Sequence, residues 1–308
     1  MQTAQQIHSF DESIELALPR QPLARSFAQD LYELTKPRMN FLVVITTMVG
    51  YYMAVSTRAE WSKLIYTLIG TAMTAAGSSV FNQFMERRYD ALMRRTSDRP
   101  LPAGRVRPGH AMLLGLTLSV LGVTILALFV NMLTAALGAT TLLLYVALYT
   151  PAKRYTSLCT IIGAVPGAIP PMMGITAVRG AVTVEAMALF AILFVWQMPH
   201  FLAIAILYRD DYARGGFQML PVVDASMEMT GRQMVLYSIC LIPVSLMPTL
   251  IGMDGIRYEI AALLLSLGFL GFAFRCARSK QRGDARKLFL ASIIYLPLLL
   301  AALMLDKI

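Results

Sequence analysis

Residues Phe81–Arg107 read FNQFMERRYDALMRRTSDRPLPAGRVR, and they directly follow a long apolar run. Asn82, Glu86 and Asp90 recur every fourth residue, which aligns three oxygen-bearing side chains along one face of a helix. Such oxygens suit Mg²⁺, which keeps further ligand positions for water and phosphate. Guanidinium groups, which match phosphate oxygens, are interleaved with this row. They belong to Arg87, Arg88, Arg94, Arg95 and Arg99. The pattern indicates a site for Mg²⁺ with a polyanion, above all a diphosphate.

The sequence on either side of this stretch is typical of a membrane protein. Of the 308 residues, 57% are hydrophobic and 15% are charged, whereas soluble domains carry about 25% charged residues. The charges separate apolar runs long enough to cross a hydrocarbon core of about 30 Å. The net charge of +9 lies mainly between these runs, so the membrane surface explains it and no nucleic-acid partner is expected.

We therefore predict an all-α, polytopic membrane protein with nine transmembrane helices around a central cavity that opens to the cytoplasmic side. The predicted spans are Asn40–Ser56, Leu64–Met85, Gly109–Val130, Leu133–Tyr149, Leu158–Val178, Val184–Leu207, Met234–Gly252, Glu259–Arg275 and Lys287–Leu305. Residues 1–35 are polar and lack the order of a cleavable signal peptide. We predict that they form an N-terminal tail before a single membrane domain, residues 36–308.

The basic residues predict the orientation of these spans. The N-terminus and the loops after spans two, four, six and eight hold 22 of the 27 Lys and Arg residues. The positive-inside rule places that side in the cytoplasm and the C-terminus on the opposite side. The same assignment brings the loops after spans two, four and six to one cytoplasmic mouth.

Two of these loops carry further candidate residues. Lys153 and Arg154 follow span four, where they either anchor the loop to anionic lipid or neutralise a departing diphosphate. Asp210 and Asp211 follow span six, where they either cap a turn and pair with nearby arginines or form a second carboxylate site. Local pairing with arginines and lipid anchoring are also the structural alternatives for the Phe81–Arg107 stretch.

His200 is the most distinctive candidate functional residue inside a predicted span, because it follows a proline, Pro199. Ionisable residues within the membrane are costly and often functional. A neutral imidazole at this position can hydrogen-bond between helices, ligate haem iron or orient a bound substrate. The sequence alone leaves these roles open.

The order of short motifs resembles the UbiA superfamily of intramembrane prenyltransferases, over about residues 35–305. The row formed by Asn82, Glu86 and Asp90 is similar to the first metal–diphosphate motif of that family. Further motifs resemble its haem-modifying branch. They are TKPR at Thr35–Arg38, the Met93–Leu101 segment, YTPAKRYT at Tyr149–Thr156, GAVPGAIPPMMG at Gly163–Gly174, WQMPHF at Trp196–Phe201, Asp211-Tyr212 and MLPV at Met219–Val222. One departure is that Asp211 is followed at i+4 by Gly215, where the second motif of the family carries another acid.

The resemblance implies a Mg²⁺-dependent transfer of a farnesyl group from farnesyl diphosphate to a vinyl group of haem b, giving haem O and diphosphate. As metal ligands it implies Asn82, Glu86, Asp90, Asp210 and Asp211. As diphosphate-binding residues it implies Arg94, Arg95, Arg99, Lys153 and Arg154. As catalytic residues it implies Asn82, Glu86, Asp90, Lys153, Arg154 and Asp211, and as the haem-binding residue His200.

The resemblance also implies a location and partners. The chain is expected in a bacterial cytoplasmic membrane, with its C-terminus in the periplasm. Beside farnesyl diphosphate, haem b and the lipid bilayer, haem A synthase and the assembly of a terminal oxidase are candidate partners.

Two other functions remain open at this point. One is prenyl transfer to an aromatic quinone precursor, such as 4-hydroxybenzoate, and a phenolic acceptor of this kind would not require His200 after Pro199. A cation-coupled transporter predicts ionisable residues near the bilayer midplane and two related halves. The acids of this chain instead cluster at one predicted mouth.

Overall fold

The computed structural model describes residues 26–56 and 60–308, and the regular elements of these ranges are helices. In chain order they are α1 (Phe27–Leu34), α2 (Pro37–Ala54), α3 (Trp61–Asp90), α4 (Pro108–Phe129), α5 (Met132–Ala152), α6 (Cys159–Arg179), α7 (Val184–Leu207), α8 (Arg209–Arg214), α9 (Leu220–Val223), α10 (Glu228–Leu250), α11 (Ile256–Ser279) and α12 (Arg282–Leu305). Helix α5 contains a π-helical segment, Leu144–Tyr149.

The all-α membrane architecture is confirmed. In the described part of the chain, eight helices are long and apolar enough to cross a membrane, namely α3 to α7 and α10 to α12. They coincide with eight of the predicted spans. The remaining predicted span, Asn40–Ser56, coincides with α2, which is helical but is not among those eight. The count of nine spans therefore stays a prediction.

The predicted polar tail is partly folded. Residues 1–25 lie outside the described residues, and α1 begins after Ser26, whose side chain accepts a hydrogen bond from the backbone of Gln29 in a capping box. Helix α1 is fastened to the site-bearing helix, because Gln83 Nε2 donates to the carbonyl of Leu34 at 2.7 Å. Arg105 Nε also donates to Asp30 Oδ1 at 2.9 Å. The predicted boundary at residue 35 remains a prediction.

The long helices form a closed bundle with α6 and α7 at its centre. Each long helix packs against the next along the chain, and α12 returns to contact α2. Most of the apolar window of α6 is buried, 72%, compared with 17% for α5, so α5 lies at the periphery.

Helix α2 is held against α6 by direct backbone packing at two glycines. A Cβ on Gly174 would overlap the backbone of Thr47 and Tyr51, and a Cβ on Gly50 would overlap the carbonyl of Pro171. Small residues permit this close approach of helices within a membrane. The moderately apolar α2 is therefore fixed by contact with a buried neighbour.

The length of α3 sets the position of its acidic row. Its 30 residues extend about 45 Å at 1.5 Å per residue, which is longer than a hydrocarbon core of about 30 Å. Its last turns, from Asn82 to Asp90, consequently stand at the end of the bundle, which we call the mouth. The chain segments that join the other long helices cover these turns.

The end of the bundle away from the mouth contains a buried acid. Asp254, between α10 and α11, is 1% exposed, and neither of its carboxylate oxygens has a hydrogen-bond partner within the described ranges. Asp306 and Lys307 approach from the end of α12. Lys307 Nζ donates to the carbonyl of Tyr52 at 2.7 Å, which joins the end of the chain to α2.

Candidate active site

The three residues of the acidic row lie together and are buried at the mouth. Asn82, Glu86 and Asp90 are each at most 5% exposed. Lys153 Nζ donates to Glu86 Oε1 at 2.7 Å, and Arg99 Nη1 donates to Asp90 Oδ2 at 2.7 Å. Buried carboxylates are costly unless they are paired. The structural alternative of local pairing with Arg87 or Arg94 is therefore wrong, because the partners come from farther along the chain.

Lys36 completes the row by contacting its amide member. Lys36 Nζ donates to Asn82 Oδ1 at 3.0 Å. The lysine has a left-handed backbone, with φ of 48°, immediately before Pro37, a conformation that costs free energy in a non-glycine residue. Burial, together with the charges on Arg99 and Lys153, lowers the pKa of Lys36 to about 7. The strained backbone directs this amine into the site.

The π-helical segment of α5 and the turn after it position Lys153. Tyr149 lies in the segment, and the Lys153 amine sits 4.5 Å from the centre of its ring. The carbonyl of Lys153 accepts a hydrogen bond from the backbone of Gln218 at 2.6 Å. Burial favours the neutral amine, but the charge of Glu86, the hydrogen bond to it and the neighbouring Tyr149 and Tyr145 together raise the pKa of Lys153 well above its usual range. Lys153 is thus a permanent cation at the mouth.

Thr150 fixes the orientation of the Asn82 amide. Asn82 Nδ2 donates to Thr150 Oγ1 at 3.2 Å, and that hydroxyl donates in turn to the carbonyl of Tyr145 at 2.8 Å. The chain of hydrogen bonds leaves the Asn82 oxygen turned towards Lys36. A neutral oxygen is therefore presented in line with the two carboxylates.

Asp211 joins the end of α7 to the loop that follows α3. Its Oδ1 accepts a hydrogen bond from the backbone N–H of Arg94 at 3.0 Å, and it also pairs with Arg214. Burial disfavours the charged carboxylate, but the bonds from Arg214 and Arg94 lower the pKa of Asp211. The acid on α8 and the acidic row on α3 are consequently brought to the same end of the bundle.

Asp210 lies apart from the other predicted metal ligands. Its side chain is 73% exposed and lies 3.8 Å from the guanidinium of Arg282. On the helix α8, the side chain next to a buried one necessarily points in another direction, about 100° away. The structure therefore separates Asp210 from the buried contacts of Asp211, and we expect Asp211 and not Asp210 to act at the site.

The candidate arginines divide into three groups. Arg95 stacks on Tyr208 at 4.4 Å and Arg154 stacks on Tyr89 at 4.2 Å, so both guanidinium groups are held at the rim by aromatic rings. Arg99 lies deeper, on Asp90. Arg94 is exposed and contributes its backbone N–H. Outside these groups, Arg105 bridges Asp30 and Asp98 and thus has a structural role.

The oxygens of the row fit a divalent cation. Asp90 Oδ1 is buried and has no hydrogen-bond partner among the residues that the structure describes, although such atoms are nearly always paired. Among those residues, no three His, Cys, Asp or Glu side chains lie close enough together to hold a metal ion by themselves. Mg²⁺ suits such a site, because it takes one or two carboxylates and fills its remaining positions with water and phosphate.

His200 does not belong to the charged cluster. Its Nδ1 lies 2.7 Å from Ser292 Oγ on α12, and its ring lies between Trp196, with centroids 4.9 Å apart, and Phe289, at 5.3 Å. It precedes Asp211 by eleven residues, or about 16 Å along helix α7 and its continuation. The interhelical hydrogen bond is thus present, and a role in binding haem stays a prediction.

Sequence reasoning missed two residues of this site. Lys36 was noted only within the TKPR motif, and Thr150 only within YTPAKRYT. Both motifs lie far from Asn82 in the chain, 46 and 68 residues away. The signal that would have identified them was a polar residue next to a proline at the mouth end of a span.

Comparisons with known proteins agree with this arrangement. Residues 43–296 match the family model described as the UbiA prenyltransferase family. A protein from Solibacter usitatus, named protoheme IX farnesyltransferase, is 46% identical over 91% of this chain and 99% of its own length. A second protein of that name, from Koribacter versatilis, is 43% identical over 95% and 97%.

Solved structures share the fold at low sequence identity. A structure of digeranylgeranylglyceryl phosphate synthase superposes with a TM-score of 0.74 at 17% identity, covering 91% of this chain and 98% of that chain. A UbiA homolog from Archaeoglobus fulgidus, solved with DMAPP and Mg²⁺, gives 0.66 at 15% identity, covering 89% and 99%. These two likenesses concern the fold.

Proposed function

This chain belongs to the UbiA prenyltransferase family, and from that premise we propose that it transfers a farnesyl group from farnesyl diphosphate to a vinyl group of protohaem IX, which is haem b. The observation that carries the proposal is the 46% identity to a protoheme IX farnesyltransferase over nearly the whole of both chains. In the proposed reaction the allylic C–O bond breaks, a C–C bond forms to the vinyl group, and water supplies the hydroxyl of haem O. Diphosphate leaves.

The mouth is the proposed site of the diphosphate. Lys153 and Arg99 place positive charge within a buried cluster, and Lys36 adds to it when it is protonated. Arg95 and Arg154 stand at the rim of this cluster. Fixed cations at the leaving group stabilise negative charge as it develops. Because aromatic rings hold the rim arginines, their guanidinium groups need little rearrangement to bind phosphate oxygens.

Mg²⁺ is the proposed cofactor, held by Glu86 and Asp90 with Asn82 as a neutral ligand or positioning group. When bound, the metal neutralises phosphate oxygens and so favours departure of the diphosphate. The structure of an A. fulgidus homolog of the same fold with DMAPP and Mg²⁺ bound supports this assignment. The amide of Asn82, fixed by Thr150, keeps its oxygen directed along the row.

The acceptor is proposed to bind deeper in the membrane than the diphosphate. His200 is the candidate contact for haem, through the iron or through the propionates. Among the described residues, it is the one histidine that lies half-buried among aromatic rings inside a long helix. The surrounding bilayer limits the access of water to an allylic cation.

We further propose that the chain resides in a bacterial cytoplasmic membrane with its mouth towards the cytoplasm and its C-terminus in the periplasm. The distribution of Lys and Arg supports this orientation. Association with haem A synthase or with terminal oxidase assembly also stays a proposal, and co-purification from native membranes tests it.

Product analysis tests the proposed reaction. Purified protein is incubated with labelled farnesyl diphosphate, Mg²⁺ and haem b, and the pigment is examined by chromatography with mass detection. We expect a labelled haem whose mass has increased by one farnesyl group and one hydroxyl group, the second proton of the water being released. A parallel reaction contains 4-hydroxybenzoate in place of haem b. Label in the phenol but not in haem would contradict the proposal.

A further inference from the structure

A groove between α10 and α11 lies outside the candidate active site. It encloses about 780 Å³, within the roughly 300–1,000 Å³ that small-molecule sites occupy. Neither helix contributes a residue to the acidic row. We call it the basic groove and define it by residues 228–239 of α10 and 274–280 of α11.

The two walls of the basic groove show the same order of side chains. On α10, Arg232, Leu236 and Ile239 recur at i, i+4 and i+7, so they share one face. On α11, which runs in the opposite direction, Phe274 precedes Arg278 by one turn. In both helices the arginine lies at the mouth end and the apolar residue lies deeper. The groove is therefore cationic at one end and apolar along the rest of its length.

Neither arginine at this end is paired with an acidic side chain of the described residues. Within the described ranges, neither Arg232 nor Arg278 forms an ion pair, although Lys280 at the same rim is paired with Glu228 at 2.9 Å. The groove thus retains the charge of two guanidinium groups. Planar guanidinium groups match phosphate oxygens in geometry as well as in charge.

The apolar part of the basic groove is open to the surroundings of the bundle. Leu236, Ile239 and Phe274 are 54%, 48% and 57% exposed. These helices cross the membrane, so the medium around this part of the groove is lipid acyl chain. An occupant that fits both ends carries a phosphate at the depth of lipid head groups and a hydrocarbon chain below it.

From this order of charge and apolar surface we propose that the basic groove is a binding site for an anionic phospholipid. The head-group phosphate contacts Arg232 and Arg278, and one acyl chain lies along Leu236, Ile239 and Phe274. Basic pockets between transmembrane helices near the membrane surface bind the head groups of such lipids. The proposal does not depend on the reaction proposed above.

Lipid titration of the full-length protein tests this site. Protein in a neutral detergent is titrated with phosphatidylglycerol, with phosphatidylcholine and with glycerol 3-phosphate, and bound lipid is counted by native mass spectrometry. The test variant is Arg232→Gln with Arg278→Gln, and the control is Arg107→Gln with Arg286→Gln, two exposed arginines outside the groove. A third variant, Arg232→Lys with Arg278→Lys, keeps the charges.

We expect phosphatidylglycerol to bind the wild type more tightly than phosphatidylcholine. The glutamine variant should weaken that binding by about thirtyfold, since each basic group near an anionic surface contributes roughly fivefold. The control should change it less than about twofold. The lysine variant should fall between the wild type and the glutamine variant, because it keeps the charges but loses the planar guanidinium groups. Glycerol 3-phosphate should not compete.

Four results would overturn the proposal. They are unchanged binding by the glutamine variant, an equal loss in the control variant, competition by glycerol 3-phosphate at the same concentration, and a dimer of the purified protein that the glutamine variant dissociates. The first two would leave only general surface charge, the third a free phosphate site, and the fourth an interface between two copies of this chain.

Discussion

At the scale of single residues, the site depends on which of two adjacent acids faces the interior. The sequence predicted both Asp210 and Asp211 as ligands, because it offers no signal that separates neighbours at the start of a short helix. The structure places Asp211 in contact with the loop after α3 and leaves Asp210 in solvent beside Arg282. Lys36 was missed for a related reason, since its direction depends on a left-handed backbone that no periodic pattern predicts.

The adjacent acids provide a matched pair of substitutions. Asp211→Asn should lower kcat/KM for farnesyl diphosphate by about a hundredfold or more, the size that removal of one preorganised electrostatic group produces. Asp210→Asn should stay within about twofold of the wild type, because its side chain is 73% exposed. Steady-state kinetics with haem b at saturation measures both. Equal losses of kcat/KM in the two variants would contradict the prediction that Asp211 contributes to the reaction through its buried contacts.

Asp254 predicts a dependence of stability on pH. Burial, with repulsion from Asp306, raises the pKa of Asp254 from 3.8 to about 7. Between these values the unfolded chain has released a proton that the folded protein still holds, so stability falls as the pH rises and the loss is complete above about pH 7. Asp254→Asn should therefore raise Tm at pH 8 more than at pH 5. Asp210→Asn removes the same formal charge at the surface and should leave the pH dependence of Tm unchanged.

At the scale of elements, hydrophobic patterning predicted the apolar body of each helix better than its polar ends. The predicted span Val184–Leu207 coincides with α7. The predicted span Leu64–Met85 lies within α3 and ends more than one turn before the end of that helix, which is at Asp90. Hydropathy marks the edge of the membrane, whereas the helix continues because other segments bury its polar last turns. The π-helical segment of α5 was not predicted, since it alters hydrogen bonding without altering composition.

Because α2 and α6 pack closely, we expect one added methyl group at their contact to lower the stability of the protein. Gly174→Ala would overlap the backbone of Thr47 and Tyr51, and overpacking of this kind costs about 1–3 kcal/mol. Tm should fall by several degrees, measured by thermal unfolding in detergent. Gly268→Ala on α11 is the control, because a Cβ there meets no atom within 4 Å. It should leave Tm unchanged or raise it slightly, since alanine favours helix over glycine. Similar losses in both variants would refute the close packing.

At the scale of the whole molecule, the charge pattern and the three-dimensional contacts agree. The segments that the positive-inside rule assigned to one side supply Lys36, Arg99, Lys153 and Asp211, and all of these meet at the mouth. The alternation of loops along the chain was readable from the sequence. The particular contacts at the mouth were not, because they join residues far apart in the chain. Lys36 and Asn82 are 46 positions apart, Lys153 and Glu86 are 67 apart, and the backbone N–H of Arg94 and the carboxylate of Asp211 are 117 apart.

Orientation in the membrane is testable with reporter fusions. A fusion after Ile308 should give active alkaline phosphatase, which requires the periplasm, and non-fluorescent green fluorescent protein. Fusions truncated after Gln281, between α11 and α12, should give the opposite pair of results. The reverse pattern at both positions would place the mouth on the periplasmic side and would contradict the proposed orientation.

The most direct test of the central claim is the position of a metal and a diphosphate in a complex. We propose a crystal structure with Mn²⁺ and a non-reactive thio analogue of farnesyl diphosphate, with the metal located by its anomalous signal. The account predicts a metal at coordination distance from Asp90 Oδ1 and a Glu86 oxygen, with the diphosphate in contact with Lys153 or Arg99. Metal and diphosphate bound elsewhere, with Glu86 still paired to Lys153 and Asp90 to Arg99, would contradict it.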